Sequence, residues 1–466
     1  MLRRTFFAIC FATMILLLAG GRSLAQDGLK LPPAKRVKLP NGLTLLLIEQ
    51  HEIPILSFNL IVGGGSVADP VGKDGVADLT AELLRKGTGQ RTAEQLAAEL
   101  DFIGASFNAS TTNDYTTLAA EFLKKDQAKG LDLLADAVLN STFPPAEVEK
   151  LIRQSIDQIK AGRDRAPSVI GNYFNGYLYG SHPYGRPVGG DERSLAAITR
   201  DDIISCYRGR YTPSNTILAV AGDFVTAEME RELTARFGSW SGKPAPEVSL
   251  PEPVAVKGKR LLLVDKPDST QTFYQIGNLG IARSNPDRVY VNVVNTLFGG
   301  RFTSRLNDAL RVTSGLTYGA NSFFSERRQR GPFVISTYTR NETTGKAIDL
   351  TLEILRQLHE KGVSEAELAS AKNYLKGQFP PRIETTDQLA AQMAQLAYYG
   401  LDERELSDYY RRIDSMTLDD ARRVIRQYYP LDDLVFVLIG KRAEIGEAVK
   451  KYAPVIDHKV ITQPGF

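Results

Sequence analysis

Two halves of this chain repeat one another, and a repeat at domain scale constrains architecture before any local reading does. Pro145-Ala146-Glu147-Val148 and Tyr179-Gly180 return 220 positions later as Glu365-Ala366-Glu367-Leu368 and Tyr399-Gly400. Thr199-Arg200-Asp201-Asp202, Tyr211 and an apolar run ending at Gly222 return 218 positions on, as Thr417-Leu418-Asp419-Asp420, Tyr429 and a run ending at Gly440. Matches in one order at nearly constant offset predict two homologous domains, residues 33–240 and 258–460. Between them, Pro244, Pro246, Pro251 and Pro253 stand among Ser241 and Gly242, which predicts an extended linker over 241–257.

Within the first half, β-rich runs cover 44–48, 55–62 and 115–122, and helical periodicity covers 127–139, 146–162 and 168–179. The second half repeats the order with strands near 260–264, 272–279, 318–325 and 332–339, then helices over 344–359, 364–378 and 387–399. Strands grouped beside segregated helices predict an α+β class, each domain a mixed or antiparallel sheet packed against helices.

The first 25 residues read as a cleaved secretory signal. Arg3 and Arg4 precede an apolar run from Phe6 to Ala19 that is too short to span a bilayer, and Ser23-Leu24-Ala25 supplies a small-x-small site. An uncleaved anchor is the alternative. No later stretch reads as a membrane span, so the expected address is the periplasm. Loss of the signal brings the formal charge from +3 to zero, which gives no reason to expect nucleic acid or anionic lipid as a partner. It also removes Cys10 and leaves Cys206 alone, so no internal disulfide is expected and Cys206 reads as a small buried hydrophobe.

The segment from Gly75 to Thr88 is a short amphipathic helix with Asp78 and Glu82 on one face, four residues apart. That is the spacing at which two histidines would clamp a zinc ion, but here the face carries carboxylates. Two such groups on a helix are ordinarily solvated; the alternative is a hard cation held with Asp157.

Asn41-Gly42-Leu43-Thr44, Gly63-Gly64-Gly65-Ser66, Gly75-Val76-Ala77 and Lys86-Gly87-Thr88 resemble the start of the insulinase, or mitochondrial processing peptidase-like (pitrilysin), family. His182-Pro183-Tyr184-Gly185-Arg186-Pro187 and Leu297-Phe298-Gly299-Gly300 through Leu306 resemble two further signatures of it. The resemblance implies a zinc peptidase built on an inverted His-x-x-Glu-His helix with a later glutamate as third ligand. In this chain the first histidine position is Asp78, the position of the general base is Ala81 and the second histidine position is Glu82. The third-ligand position falls on Gln158, or on Asp157 if the register slips by one. All are changed, and the chain's histidines, His51, His182, His359 and His458, lie elsewhere in sequence, so no zinc is expected in this chain. By the same resemblance, Arg311 and Tyr318, in the context Gly315-Leu316-Thr317-Tyr318, are the pair that hydrogen-bonds a bound peptide near the scissile bond. Their bland reading is a surface arginine and a core tyrosine.

Three other features read as structural. Gly63-Gly64-Gly65 lacks the Gly-Lys-Ser/Thr ending of a phosphate loop and reads as a tight connection. Gly299-Gly300 reads as a turn, and Arg327-Arg328-Gln329-Arg330 as a solvated charge cluster at a hairpin tip.

These readings together predict a non-catalytic subunit of a periplasmic heteromeric zinc peptidase. It would form half of a peptide chamber, while a homologous zinc-bearing partner supplies the metal and the base. A non-hydrolytic peptide-binding or scaffold protein of the same fold is the alternative, and a self-sufficient hydrolase the less favoured third.

Overall fold

A computed structural model describes residues 31–466; the signal read in residues 1–25 lies outside them. Each half forms one six-stranded mixed sheet. The first contains β1 (Ala34–Lys38), β2 (Thr44–Glu49), β3 (Ile55–Gly63), β4 (Ser106–Thr111), β5 (Tyr115–Leu123) and β6 (Thr216–Gly222), in the order β1-β2-β6-β3-β5-β4. The second contains β7 (Lys259–Asp265), β8 (Gln271–Leu279), β9 (Ala320–Phe324), β10 (Pro332–Arg340), β11 (Leu434–Gly440) and β12 (Val455–Val460), in the order β12-β7-β11-β8-β10-β9. Five strands correspond one for one, including the parallel pairs β2/β6 and β7/β11. The halves differ at the outer strand: β1 runs antiparallel to β2, whereas β12 arrives from the C-terminal end and runs parallel to β7.

The helices used below are α1 (Val76–Leu83), α2 (Gln127–Leu139), α3 (Pro145–Arg163), α4 (Ala166–Tyr179), α5 (Arg200–Arg210), α6 (Arg288–Phe298), α7 (Thr344–Lys361), α8 (Glu365–Gln378), α9 (Thr386–Tyr398) and α10 (Leu418–Tyr428). The repeated Thr-x-x-Asp has a local cause. Thr199 and Thr417 each cap a helix by accepting the N–H of Asp202 or Asp420, whose carboxylate takes the threonine N–H in return.

Each half lends one helix to the other. Helix α4, from the first half, packs on β8 and β11 of the second sheet, while α9, from the second half, packs on β3 and β6 of the first. Ile61, Ala219 and Ala221 therefore share a core with Leu389, Ala390 and Met393 of α9. Val435, Val437 and Ile439 share one with Ile170, Tyr173 and Phe174 of α4. Both sheets are covered by their own helices on one face and by the exchanged helix on the other. That is why β11 is buried at every position and reads as an unbroken apolar run.

The segment 241–257 has no helix or strand, but it is fastened along its length. Pro246 O accepts from Arg210 Nη1 (2.7 Å), Leu250 O accepts from Gln329 Nε2 (2.9 Å), and Pro251 O lies 2.8 Å from His182 Nε2. Arg163, 5% exposed, ties the other end of the chain down: it pairs with both Glu192 oxygens and donates to Ile461 O (3.0 Å). No described helix is long and apolar enough to cross a membrane.

Candidate functional site

Helix α1 keeps its place through residues that do no metal chemistry. Gly75 opens it at φ 99°, and a Cβ there would lie 2.9–3.0 Å from Leu195 and Gly189. The N–H groups of Gly75 and Ala77 donate to the Asp69 carboxylate at 2.8 and 3.1 Å. Burial pushes that carboxyl up to about 7 against the pull of the two amides. Beyond the helix, Gly87 has φ 130°, and Thr88 Oγ1 donates to Asp136 (2.7 Å), which Arg91 also holds. The glycine-rich turn works in the same way: a Cβ on Gly65 would lie 2.5 Å from the carbonyl oxygens of Thr112 and Asn113. The family-like residues retained around α1 are thus explained by backbone conformation and capping.

The positions expected to carry ligands are differently placed. Asp78 is not the solvated carboxylate its sequence context implies. Burial, and then the charge of Glu82, push it up to about 6, opposed by hydrogen bonding from Thr111 at the end of β4. Ala81 is fully buried and brings only a methyl group. Asp157 and Gln158 are exposed on α3. Among the described residues no group of three His, Cys, Asp or Glu side chains is placed to hold a metal. His51 lies between Glu49 and Asp223, and His359 meets Tyr429 O, so neither imidazole is turned to α1. Two carboxylates without a nitrogen ligand or a base do not fit a hydrolytic zinc ion.

Arg311 and Tyr318 come together in the second half. After α6, Gly299 approaches β9 so closely that a Cβ would lie 2.4 Å from Ser322 Oγ, so the Gly299-Gly300 pair is a packing feature. The chain then forms a short turn capped by Ser304 and a π-helical turn over Asp308–Thr313 that carries Arg311. Gly315 turns it back at φ 63°, and Thr339 Oγ1 holds Leu316 O at 2.7 Å. Tyr318 precedes β9, which starts at Ala320 rather than at 318, and the residue is 80% exposed. The expectation of a strand at 318 fails because Thr317 and Gly319 are held by the Thr337 hydroxyl outside the ladder. Arg311 and Tyr318 line one cleft of about 590 Å³. Its floor is the part of the second sheet that α4 leaves uncovered, including Phe273, Gln275 and Tyr338, and Pro167 and Ile170 of α4 form a wall. The Arg311 guanidinium lies over the Phe302 ring at 4.5 Å, and among the described residues lining the cleft there is no Asp or Glu to pair with it.

Comparison with known proteins then bears on this arrangement. A family described as "Insulinase (Peptidase family M16)" matches residues 44–192, and one described as "Peptidase M16 inactive domain" matches residues 197–375. The chain belongs to the insulinase family, peptidase family M16. It is 28% identical over 398 residues to an uncharacterized zinc protease of Mycobacterium leprae, covering 84% of this chain and 88% of that one. It is 25% identical over 408 residues to one of Bacillus subtilis, covering 87% and 98%. A solved structure described as the peptidase M16 inactive domain from Pseudomonas fluorescens is similar with a TM-score of 0.83 and 25% identity, over 88% of this chain and 98% of that one. A protease from Helicobacter pylori shares the fold at TM-score 0.82 and 21% identity, over 88% and 100%.

Two segments, the His182–Pro187 signature and Arg327–Arg330, meet across the boundary between the halves, where the Gln329 N–H donates to Tyr184 Oη at 3.2 Å. In the His182–Pro187 segment, Tyr184 donates to Asp114 Oδ1 at 2.6 Å, and Arg186 clamps Val67 O, Asp69 O and Asp74. The Arg327–Arg330 segment, expected as a solvated tip, is an interdomain clasp. Arg327 lies over the rings of Tyr179 (5.4 Å) and Tyr184 (4.8 Å), Arg328 lies over Tyr398 (4.8 Å), and the Arg328 N–H donates to Asp114 Oδ2 (2.7 Å). The cause is cation–π contact with aromatic residues far away in sequence. Sequence reading missed Asp69 and Asp114; the only signal for Asp114 is its place in an Asn-Asp turn between two strands.

Proposed function

We propose that this chain is the non-catalytic subunit of an exported, heteromeric zinc peptidase. It supplies half of a peptide chamber and brings Arg311 and Tyr318 to the zinc centre of a homologous partner in the periplasm. The observation that carries this reading is the contrast between the two halves: α1 keeps its backbone supports but has no base and no nitrogen ligand, while the cleft keeps the donors Arg311 and Tyr318 with no Asp or Glu among the described residues that line it. The description of its relatives as zinc proteases supports the same reading. A guanidinium offers a rigid fork of donors to peptide oxygens, and a phenol adds one that steadies a developing oxyanion.

Co-purification from the native cell tests it. The chain is expected to bring down a zinc-bearing relative, and Arg311→Ala is expected to lower the peptidase rate of that complex by about 10²–10³, the scale for loss of one oxyanion donor. Absence of such a complex, or an unchanged rate, overturns the proposal. Peptide binding by the chain with no peptidase partner would favour a non-hydrolytic binding or scaffold role.

A further inference from the structure

The cleft has an excess of positive charge that recognition of a neutral peptide backbone does not require. Among the residues lining it, Arg301 and Arg311 are charged and none is Asp or Glu. Other arginines of this half have carboxylates: Arg288 takes Glu405 at 2.6 Å, and Arg305 takes both oxygens of Glu367 at 2.8 Å. Arg301 has none. Its Nη1 donates to Ser370 Oγ (3.0 Å), its guanidinium lies 5.8 Å from the Tyr374 ring centre, and its buried Nε has no partner among the described residues. Gln275, 8% exposed on β8, faces the same space and has no hydrogen-bond partner for its amide among the described residues. Beside it, the rings of Phe273 and Tyr338 stack at 5.1 Å.

A half-buried guanidinium without a counter-ion is costly unless a ligand supplies one, and its planar fork matches a carboxylate better than any neutral acceptor. We propose that this cleft is a carboxylate-selecting subsite, in which Arg301 and Arg311 bind the anion, Gln275 donates to it, and the Phe273/Tyr338 face takes an adjacent aromatic or large apolar side chain. The ligand class is a peptide segment with a carboxylate beside such a residue. The carboxylate comes either from an Asp or Glu side chain or from a free C-terminus, since both present the same two oxygens. This rests on the peptide-chamber reading and narrows it.

Fluorescence anisotropy on the full chain, with labelled decapeptides that differ at one group, tests it. One contains Phe-Glu and is amidated, one Phe-Gln and is amidated, and one Phe-Gln with a free terminal carboxylate. At low ionic strength at least one carboxylate peptide is expected to bind about tenfold tighter than the neutral one, the difference between charge-assisted and neutral hydrogen bonds. Which one does so identifies the source. Arg301→Gln is expected to reduce the preference to about twofold, and Arg301→Glu to reverse it toward a Phe-Lys peptide. Equal binding of all three peptides by the wild-type chain overturns the carboxylate subsite and leaves the peptide chamber standing. Binding of none overturns both.

Discussion

Tyr399 donates its phenolic hydroxyl to the carboxylate of Asp114 across the boundary between the halves, at 3.0 Å. Its repeat counterpart Tyr179 crosses in the opposite sense and donates to Arg330 O at 2.9 Å. The Tyr-Gly pair that reveals the duplication is therefore also where each half reaches the other. Asp114 is 3% exposed and accepts from Tyr184, Tyr399 and the Arg328 N–H, so it closes a network drawn from both halves.

Removing that carboxylate strands two largely buried phenols and an amide. Because each unmet buried donor costs about 1–3 kcal/mol, Asp114→Ala is expected to lose about 3 kcal/mol or more, whereas Tyr399→Phe, which removes one donor, is expected to lose about 1. Urea unfolding of both variants and of the double variant checks this. A loss below about 0.5 kcal/mol for Asp114→Ala would show that the network closes nothing.

The exchanged helices make the halves mutually dependent. Residues 33–240 expressed alone would leave Ile61, Ala219 and Ala221 without α9 and expose a sheet face that the intact chain buries. That fragment is expected to be insoluble or to lack a cooperative unfolding transition, and co-expression with residues 241–466 is expected to restore both. A cooperative, monomeric 33–240 fragment would contradict the interdependence.

Strand and helix identity was largely legible in the sequence, because most elements are apolar runs or amphipathic periods. Strand β4, Ser-Phe-Asn-Ala-Ser-Thr, was not, since an edge strand in which Phe107 alone is buried carries almost no alternating signal. Nor was the helix exchange, because periodicity marks the buried face of α4 and α9 without saying which sheet it meets. The clasp failed for a related reason. Arg327 and Arg328 are polar in any local window, and the rings their cations lie over belong to Tyr179, Tyr184 and Tyr398. At the site, the pairing of Asp78 with Glu82 on one helix face is legible in the sequence, but the partial burial of Asp78 is not, because it depends on packing against β4.

Asp78 gives a pH dependence with a definite sign. Its folded-state value, about 6, lies above the ordinary carboxylate range, so the native state binds a proton that the unfolded state has released. Its ionisation therefore costs stability as pH rises from about 4 to about 6, and the full cost is present above that window. Asp78→Asn is expected to stabilise the chain by about 1 kcal/mol at pH 7.5, with the gain fading toward pH 4. Urea midpoints at several pH values measure it. A gain that grows on acidification would reverse the sign and refute the burial argument.

Restoring ligands to α1 asks whether its loss is chemical or structural. Gly75, Asp69 and Thr88 still fix the helix at both ends, so a backbone able to present the old face is expected to remain. In the combined variant Asp78→His, Glu82→His and Gln158→Glu, two imidazoles four residues apart and a carboxylate from α3 would reconstitute a His₂Glu set. That variant is expected to retain about one zinc per chain after dialysis, measured by plasma emission. Leaving out Gln158→Glu is expected to weaken binding at least tenfold, because α3 supplies the third ligand. Adding Ala81→Glu then separates metal binding from hydrolysis, since only this change supplies a base. If the folded variant held no more zinc than wild type, α1 and α3 would not stand where a zinc helix and its third ligand stand, and the reading of Asp78 and Glu82 as a vacated site would fall.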